Sequence, residues 1–313
     1  MRLVLRTIAV MTVVGALGAC ATGDALDATA NVEAKASDAA KLQETPIIIG
    51  QSFSMPSMVM EEKREINVWL PPSYGEGEQS YPVLYVIDGA LNQDFHHISG
   101  LGQLTTINGD FDEMIVVGIG THTRIMELTS EPKDSRYIRT PATAGGGAIF
   151  QSHVADEVIP FIESRYRTSD RRAVIGESLA GLWIAEVFLK TPDLFTDYIS
   201  ISPSLWWDDK ALAKDADCIL ANFPAGERRL YITMADEGGT MQGGLDIILA
   251  AIKKHRPKGL KWYYVDRRKS EVHSTIYHGA ALDALRTLFG KPAPDYGETP
   301  WYLIEGGQPE AEQ

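Results

Sequence analysis

The chain has 313 residues, 44% hydrophobic and 23% charged, with 28 glycines, 16 prolines and 2 cysteines. This composition excludes a fibrous or wholly disordered chain, and the length suffices for one large domain with a sizeable core. The formal net charge of −13 argues against a nucleic-acid partner, because phosphate neutralisation needs clustered Lys and Arg.

Residues 1–6, MRLVLR, are a short basic segment, and the apolar run TIAVMTVVGALGA after them is too short to span a bilayer comfortably and ends in small residues. Residues 1–19 therefore read as an export signal. The stretch LGAC at 17–20 resembles the lipobox of bacterial lipoproteins. That resemblance implies cleavage before Cys20 and lipidation of Cys20, and the Ala21 that follows goes with an outer-membrane anchor. The competing reading is an ordinary secretory signal cleaved nearby. Residues 20–45, rich in Ala and Asp and poor in large apolar residues, read as a flexible tether behind that anchor. With Cys20 lipidated, Cys218 has no intramolecular partner. In KDADCILANF it has no glycine turn or nearby histidine to activate it, so a packed or half-buried thiol is expected.

The folded domain is expected over 46–292. REINVWLP (64–71) alternates like a half-exposed strand. YPVLYVID (81–88), EMIVVGIG (113–120) and RRAVIG (171–176) are near-continuous apolar runs, the pattern of strands buried on both faces of a parallel sheet. DYISISP (197–203), RRLYITMA (228–235) and LKWYYVD (260–266) read as further strands. Helical spacing runs through Val154, Val158, Phe161 and Ile162 in the stretch 148–166, and helices are predicted again from Leu179, over 243–257 and over 278–290. Strands alternating with helices after an antiparallel-looking start give an α/β fold: a mixed, mainly parallel sheet flanked by helices on both faces. Residues 293–313 are rich in Pro, Gly and Glu and read as a tail in which Trp301 and Tyr302 are candidates for docking.

GESLAG (176–181) lies between a predicted buried strand and a predicted helix. A serine there is either a plain helix N-cap or a nucleophile on a sharp turn. Gly176 and the small Ala180 let the backbone fold tightly and lift the Ser178 hydroxyl, and the helix N-terminus beyond favours negative charge. The usual G-x-S-x-G has glycine fifth; here Ala180 stands there, followed by Gly181. With the chain order nucleophile, acid, histidine, the bases on offer are His255, His273 and His278. His255 in IKKHRP reads as a solvated helix end. His273, in the polar loop VDRRKSEVHST after the last strand, is the expected base, with His278 the alternative. LYITMADEGG offers Asp236 and Glu237 as the acid, and the residues alone do not separate them; Glu271 is too near His273 and is expected to be a solvated loop carboxylate. The oxyanion donors are expected to be the amides of Leu179, next after the serine, and Ala90, after Asp88 and Gly89.

YPVLYVIDG, EVIPFIESRYRT, IGESLAGL, YISISPSLWWDD, DEGGTM and EVHS together resemble the putative-esterase family of α/β-hydrolases over about residues 46–290. The resemblance implies an α/β-hydrolase fold and ester hydrolysis without a cofactor. It places the nucleophile on Ser178, the histidine on His273 and the acid on Glu237 rather than Asp236, although some siderophore esterases of this type work with a Ser–His dyad. VVGIGTHTRIMELTSEP is most similar to periplasmic siderophore (enterobactin-type) esterases, where an arginine matched by Arg124 lies close to the substrate pocket. The implied substrate is a ferric catecholate siderophore trilactone. The rivals are a short-chain acyl or aryl (feruloyl-like) ester and, in another class, a non-catalytic siderophore-binding lipoprotein, against which the intact set Ser178, His273 and Glu237 argues.

Arg124, Arg136 and Arg139 can meet such an anionic substrate, or Arg124 can pair with Glu127 to hold its loop. Trp206 and Trp207 can wall an aromatic pocket, or pack into the core. DFHH (94–97) does not read as a metal site, because adjacent histidines do not share a helix face and no second ligand pair with suitable spacing appears. His122 and His153 read as structural or surface residues. AGGGA (144–148) carries no Lys-Ser/Thr and reads as a flexible loop bordering the site rather than a phosphate loop.

Overall fold

Seven of the eight strands of the sheet grow from the apolar runs named above. In a computed structural model of the chain, which describes residues 44–139, 142–292, 297 and 299–308, these are β2 (Glu62–Trp69), β3 (Tyr81–Ile87), β4 (Ile115–Ile119), β5 (Thr168–Glu177), β6 (Asp197–Ile201), β7 (Arg228–Met234) and β8 (Leu260–Asp266). The eighth, β1 (Gln51–Ser57), has no apolar run to betray it. It is an edge strand with only Phe53, Met55 and Ser57 withdrawn from solvent, and it carries Pro56, which edges tolerate. The order is β1-β2-β4-β3-β5-β6-β7-β8. β2 pairs antiparallel with β1 and β4, and every other pairing is parallel. The signal segment, Cys20 and most of the tether lie outside the described residues. The compact unit that carries the sheet begins at Ile49.

Alternation along each strand builds two cores. Val83, Tyr85, Val174, Tyr198 and Ile232 face one side. They pack against α3 (Gly147–Ser152), α4 (Ile159–Arg165), α5 (Leu179–Lys190), α6 (Trp207–Ala221) and α7 (Gly239–His255). Leu84, Val86, Ile175 and Ile199 face the other side, against α1 (Phe95–Asn108) and α8 (His273–Phe289). A short α2 (Arg124–Leu128) follows β4. α1 has no counterpart among the predicted helices, because Gly100, Gly102 and paired threonines weaken its helix signal. Gly102 is there for packing: a Cβ would lie 2.9 Å from the Trp69 ring. α8 begins at His273, five residues before the predicted start, so His273 opens a helix instead of sitting in a loop. Cys218 is exposed, not packed; α6 turns Ala213, Ala216 and Leu220 inward. Trp301 and Tyr302 are exposed, so the tail does not dock through them.

The helix expected over 148–166 is continuous, but α3 joins α4 through a wider π-type turn, His153–Val158. Pro160 lies at the start of α4 and offers no N–H to an α-helical register. Glu157 in this turn pins the β1–β2 connection. It accepts from Ser57 Oγ at 2.5 Å and from the amides of Met58 and Val59 at 2.7 and 3.1 Å, and its carboxylate lies 2.6 Å from Nδ1 of the fully buried His153. Burial alone would raise this carboxyl, but the donors from Ser57, His153 and the two amides outweigh it and hold it at about 2. A depressed carboxyl stabilises the fold above its unfolded value of 4.5 and loses that contribution as pH falls through about 2. Glu157→Ala is therefore expected to lower the melting temperature at pH 7 by about 5 °C and to flatten the loss of stability between about pH 4.5 and pH 2, both read by thermal unfolding across pH.

Candidate active site

Ser178 follows the last residue of β5 with φ 62° and ψ −116°, a backbone that costs an L-residue about 1–3 kcal/mol. Its side chain makes no capping bond to α5, so the plain N-cap reading fails. Three backbone hydrogen bonds hold the turn: Ser178 N–H to Ile201 O at 3.0 Å, Ser204 N–H to Ser178 O at 3.0 Å and Leu182 N–H to Ser178 O at 2.9 Å. Two glycines make room. A Cβ on Gly176 would stand 2.6 Å from the Ala180 Cβ, and one on Gly181 would stand 2.7 Å from Ile201 O. Alanine at 180 is tolerated because Gly176 opposite it has no side chain.

Glu237, beyond β7, has a side chain 8% exposed and sets Oε1 2.6 Å from His273 Nδ1. Asp236 is exposed, and its N–H is donated to Glu271 O. The geometry thus separates the two acids, in favour of Glu237. The bond fixes the imidazole through Nδ1 and leaves Nε2 for other work. The His273 side chain is 46% exposed, so the site is open. His273 and Ser178 are not hydrogen-bonded to each other; Ser178 Oγ rests 3.2 Å from Ser204 Oγ. His278 packs on His97, ring centroids 4.7 Å apart. Glu271 is no solvated carboxylate: it pairs with Arg267 at 2.7 Å and is largely buried. Leu179 opens α5, whose first amides point along the helix axis away from their own carbonyls. Ala90 lies just beyond β3, the strand next to β5. Its N–H is donated to Gln93 Oε1 at 3.1 Å.

Arg124 does not pair with Glu127, which instead holds the buried Arg64 at 2.6 Å. Arg124 Nε meets Asp88 at 2.7 Å, and its Nη2 donates to the carbonyl of Glu177 at 3.2 Å, one residue from the serine. Arg136 pairs with Asp134 and Asp209, and Arg139 donates to the carbonyls of Arg136 and Ile138. Trp207 is buried with its indole N–H on Ser130 O, a packing position rather than a pocket wall. Trp206 is half-buried and stacks on Tyr137 at 6.0 Å. Tyr137 in turn lines a groove of about 330 Å³ that also touches Ile138, Arg139 and the 144–146 stretch. Among the described residues no three metal-ligating side chains come together.

Two further carboxyls, Glu177 and Asp94, carry raised values in this region. Burial raises Glu177; nearby His273 draws it down while Asp94 and Glu237 push it up, and it settles at about 7. Its Oε1 is buried with no hydrogen-bond partner among the described residues. Asp94, just before α1, is raised to about 6 by burial and then by the charge of Asp88. Adjacency to Ser178 was the one available signal for Glu177; only the fold brings Asp94 near it.

The esterase family model, described as Putative esterase, matches residues 57–279. The chain belongs to that family. It is an ester hydrolase with the α/β-hydrolase fold. This esterase is 26% identical over 239 residues to an uncharacterized protein of Bacillus subtilis, YbbA, covering 73% of the chain and 93% of that protein. It is 28% identical over 194 residues to the ferri-bacillibactin esterase BesA of the same organism, covering 56% of the chain and 65% of BesA. An IroE-like serine hydrolase from Shewanella oneidensis superposes with a TM-score of 0.69 at 26% identity, covering 77% of this chain and 80% of that one.

A buried carboxyl with a raised folded value takes up its proton more readily folded than unfolded, so it costs stability as pH rises from the unfolded value of 4.5 through about 7. Glu177→Gln removes that cost. The expected result is a melting temperature about 2 °C above wild type at pH 8.5, allowing for solvent screening, with no difference at about pH 4.

Proposed function

We propose that the chain is a serine esterase in which Ser178 attacks the ester carbonyl, His273 is the general base and acid, and Glu237 orients His273. The observation that carries this is the left-handed Ser178 at the carboxyl end of the central strand β5, with an imidazole anchored by Glu237 at 2.6 Å. Ser178 rotates off Ser204 and gives its proton to Nε2 of His273 as the Oγ–carbon bond forms. Glu237 stabilises the imidazolium. The amides of Leu179 and Ala90 take the oxyanion; Ala90 exchanges Gln93 Oε1 for it, while Gln93 stays tied to Thr121 through Nε2. His273 then protonates the leaving alcohol, and water, activated by His273, releases the acid. Loose apo contacts between nucleophile and base are common and tighten on substrate binding.

The proposed substrate is a ferric catecholate siderophore trilactone, cut in the cell envelope by a protein lipidated on Cys20 and anchored to the outer membrane. Support comes from the names of relatives such as BesA, from Arg124 beside the serine and from the exposed face of Trp206, with an open site suited to a bulky ring. A second reading, a short-chain acyl or aryl ester, is favoured by one observation: Arg124 is already matched by Asp88, and Asp94, Glu177 and Glu237 leave little positive charge for a highly anionic complex.

The test is product chromatography with residues 21–313, given ferric enterobactin and p-nitrophenyl butyrate. Ser178→Ala is expected to lower turnover by about 1,000-fold or more and Glu237→Gln by about 100-fold. Linear catecholate fragments that vanish in Ser178→Ala support the siderophore reading; cleavage of the nitrophenyl ester alone supports the second. For the anchor, full-length Cys20→Ser is expected to move from the membrane to the soluble fraction.

A further inference from the structure

We propose that Ser204 is an accessory hydrogen-bond donor to the nucleophile, weak in the resting enzyme and strong while Ser178 Oγ carries charge. The inference rests on Ser178 being the nucleophile. The two hydroxyl oxygens are 3.2 Å apart, and each is the other's hydrogen-bond partner among the described residues. Ser204 is 2% exposed, so its hydroxyl proton has little access to water, and a buried donor needs an acceptor. Ser178 must point its own proton at His273 for attack. The bond can then run only one way, with Ser204 donating and Ser178 Oγ accepting.

The placement of Ser204 is fixed from both sides. Its N–H is donated to Ser178 O at 3.0 Å, and its carbonyl accepts from Trp207 N–H at 3.0 Å. Upstream, Ser202 is fully buried with φ 39°, its N–H on Thr233 O and its Oγ accepting from Ala235 N–H. Ser200 donates Oγ–H to Gly181 O at 2.9 Å. Alternate serines of one strand end thus tie the first turn of α5, β7 and the nucleophile to one another, and the last of them reaches the reacting atom.

At 3.2 Å the resting bond is long for O–H···O, whereas a bond to an anionic oxygen contracts to about 2.5–2.7 Å and strengthens roughly twofold. As Ser178 loses its proton to Nε2 of His273, the Oγ–carbon bond forms and the carbonyl π pair moves to oxygen; the Ser204 O–H bond stays intact throughout. In deacylation Ser178 Oγ is the leaving oxygen, and the same donation assists its departure before His273 reprotonates it. An interaction stronger in the transition state than in the ground state acts on kcat rather than KM.

The experiment is stopped-flow acylation with p-nitrophenyl butyrate across pH for wild type, Ser204→Ala, Ser204→Thr and Ser178→Ala, with thermal unfolding of each. Ser204→Ala is expected to slow acylation by roughly tenfold, with KM within about twofold and the acid limb of the pH profile unmoved. Ser204→Thr, which keeps the hydroxyl, is expected to recover most of the rate. Acylation by Ser204→Ala at the wild-type rate, a change confined to KM, equal slowing in the Ala and Thr variants, or a displaced acid limb would each overturn the proposal. If Ser204→Ala does not fold, Ser204→Cys, a weak donor of similar size, takes its place under the same expectations. Turnover retained in Ser178→Ala is a different failure, that of the nucleophile assignment itself.

Discussion

The left-handed backbone at Ser178 is the constraint around which the site is built. A strained residue persists only where its surroundings over-determine it. Here the parallel pairing of β5 with β6 runs through Gly176 and Ser200 to Glu177 and Ile201, and Ser178 N–H continues it onto Ile201 O. On the other side α5 is buried at every residue but Glu186 and Lys190. A helix packed on nearly all its faces has no room to slide, so the turn joining it to β5 cannot relax into an ordinary N-cap. The absent side chains at Gly176 and Gly181 complete the same constraint, since either Cβ would push helix and strand apart.

The second fixed point, the His273 imidazole, is held by different means. His273 is the first residue of α8, and the start of that helix is tied back to the end of β7. Asp236 N–H meets Glu271 O, and the Thr275 side chain accepts from Val272 N–H. Glu271 itself is gripped by Arg267, which also reaches Asp283 on α8. The acid and the histidine are thus held to each other beyond the ends of β7 and β8, and Ser202 ties β7 to the strand end that carries the serine.

Strands β2 to β8 were legible because each is an apolar run flanked by charge or by turn residues, and the serine was legible because its hexapeptide carries both small residues the turn needs. What escaped notice lacked a local signature. β1 buries few side chains, and the glycines of α1 serve Trp69 rather than the helix. Cys218 reads as packed in the sequence because α6 has too weak an apolar period to show which side faces out. His273 meets Glu237, the acid that only the family resemblance singles out, but at a helix start and not in a loop: SEVHST is polar enough to pass for a loop, and the helix start relies on a threonine and on packing beneath. The choice of Glu237 over Asp236, and the pairing of Arg124 with Asp88 instead of Glu127, depend on where backbones distant in sequence end up.

The charges around the serine complete the physical account. Arg124 lies against Asp88, and Thr121 donates to the same carboxylate, so this guanidinium serves first to fix the loop after β4 against the end of β3 and only then to offer charge to a ligand. Burial raises Glu177 to about 7 and Asp94 to about 6. When protonated they add no negative charge beside Ser178; when ionised they repel an anion and attract a cation there. The open His273 edge lets water screen the remainder, so in the proposed mechanism the work of discriminating a tetrahedral oxyanion from a ground-state carbonyl falls to the fixed dipoles at Leu179 and Ala90 rather than to the net charge of the rim.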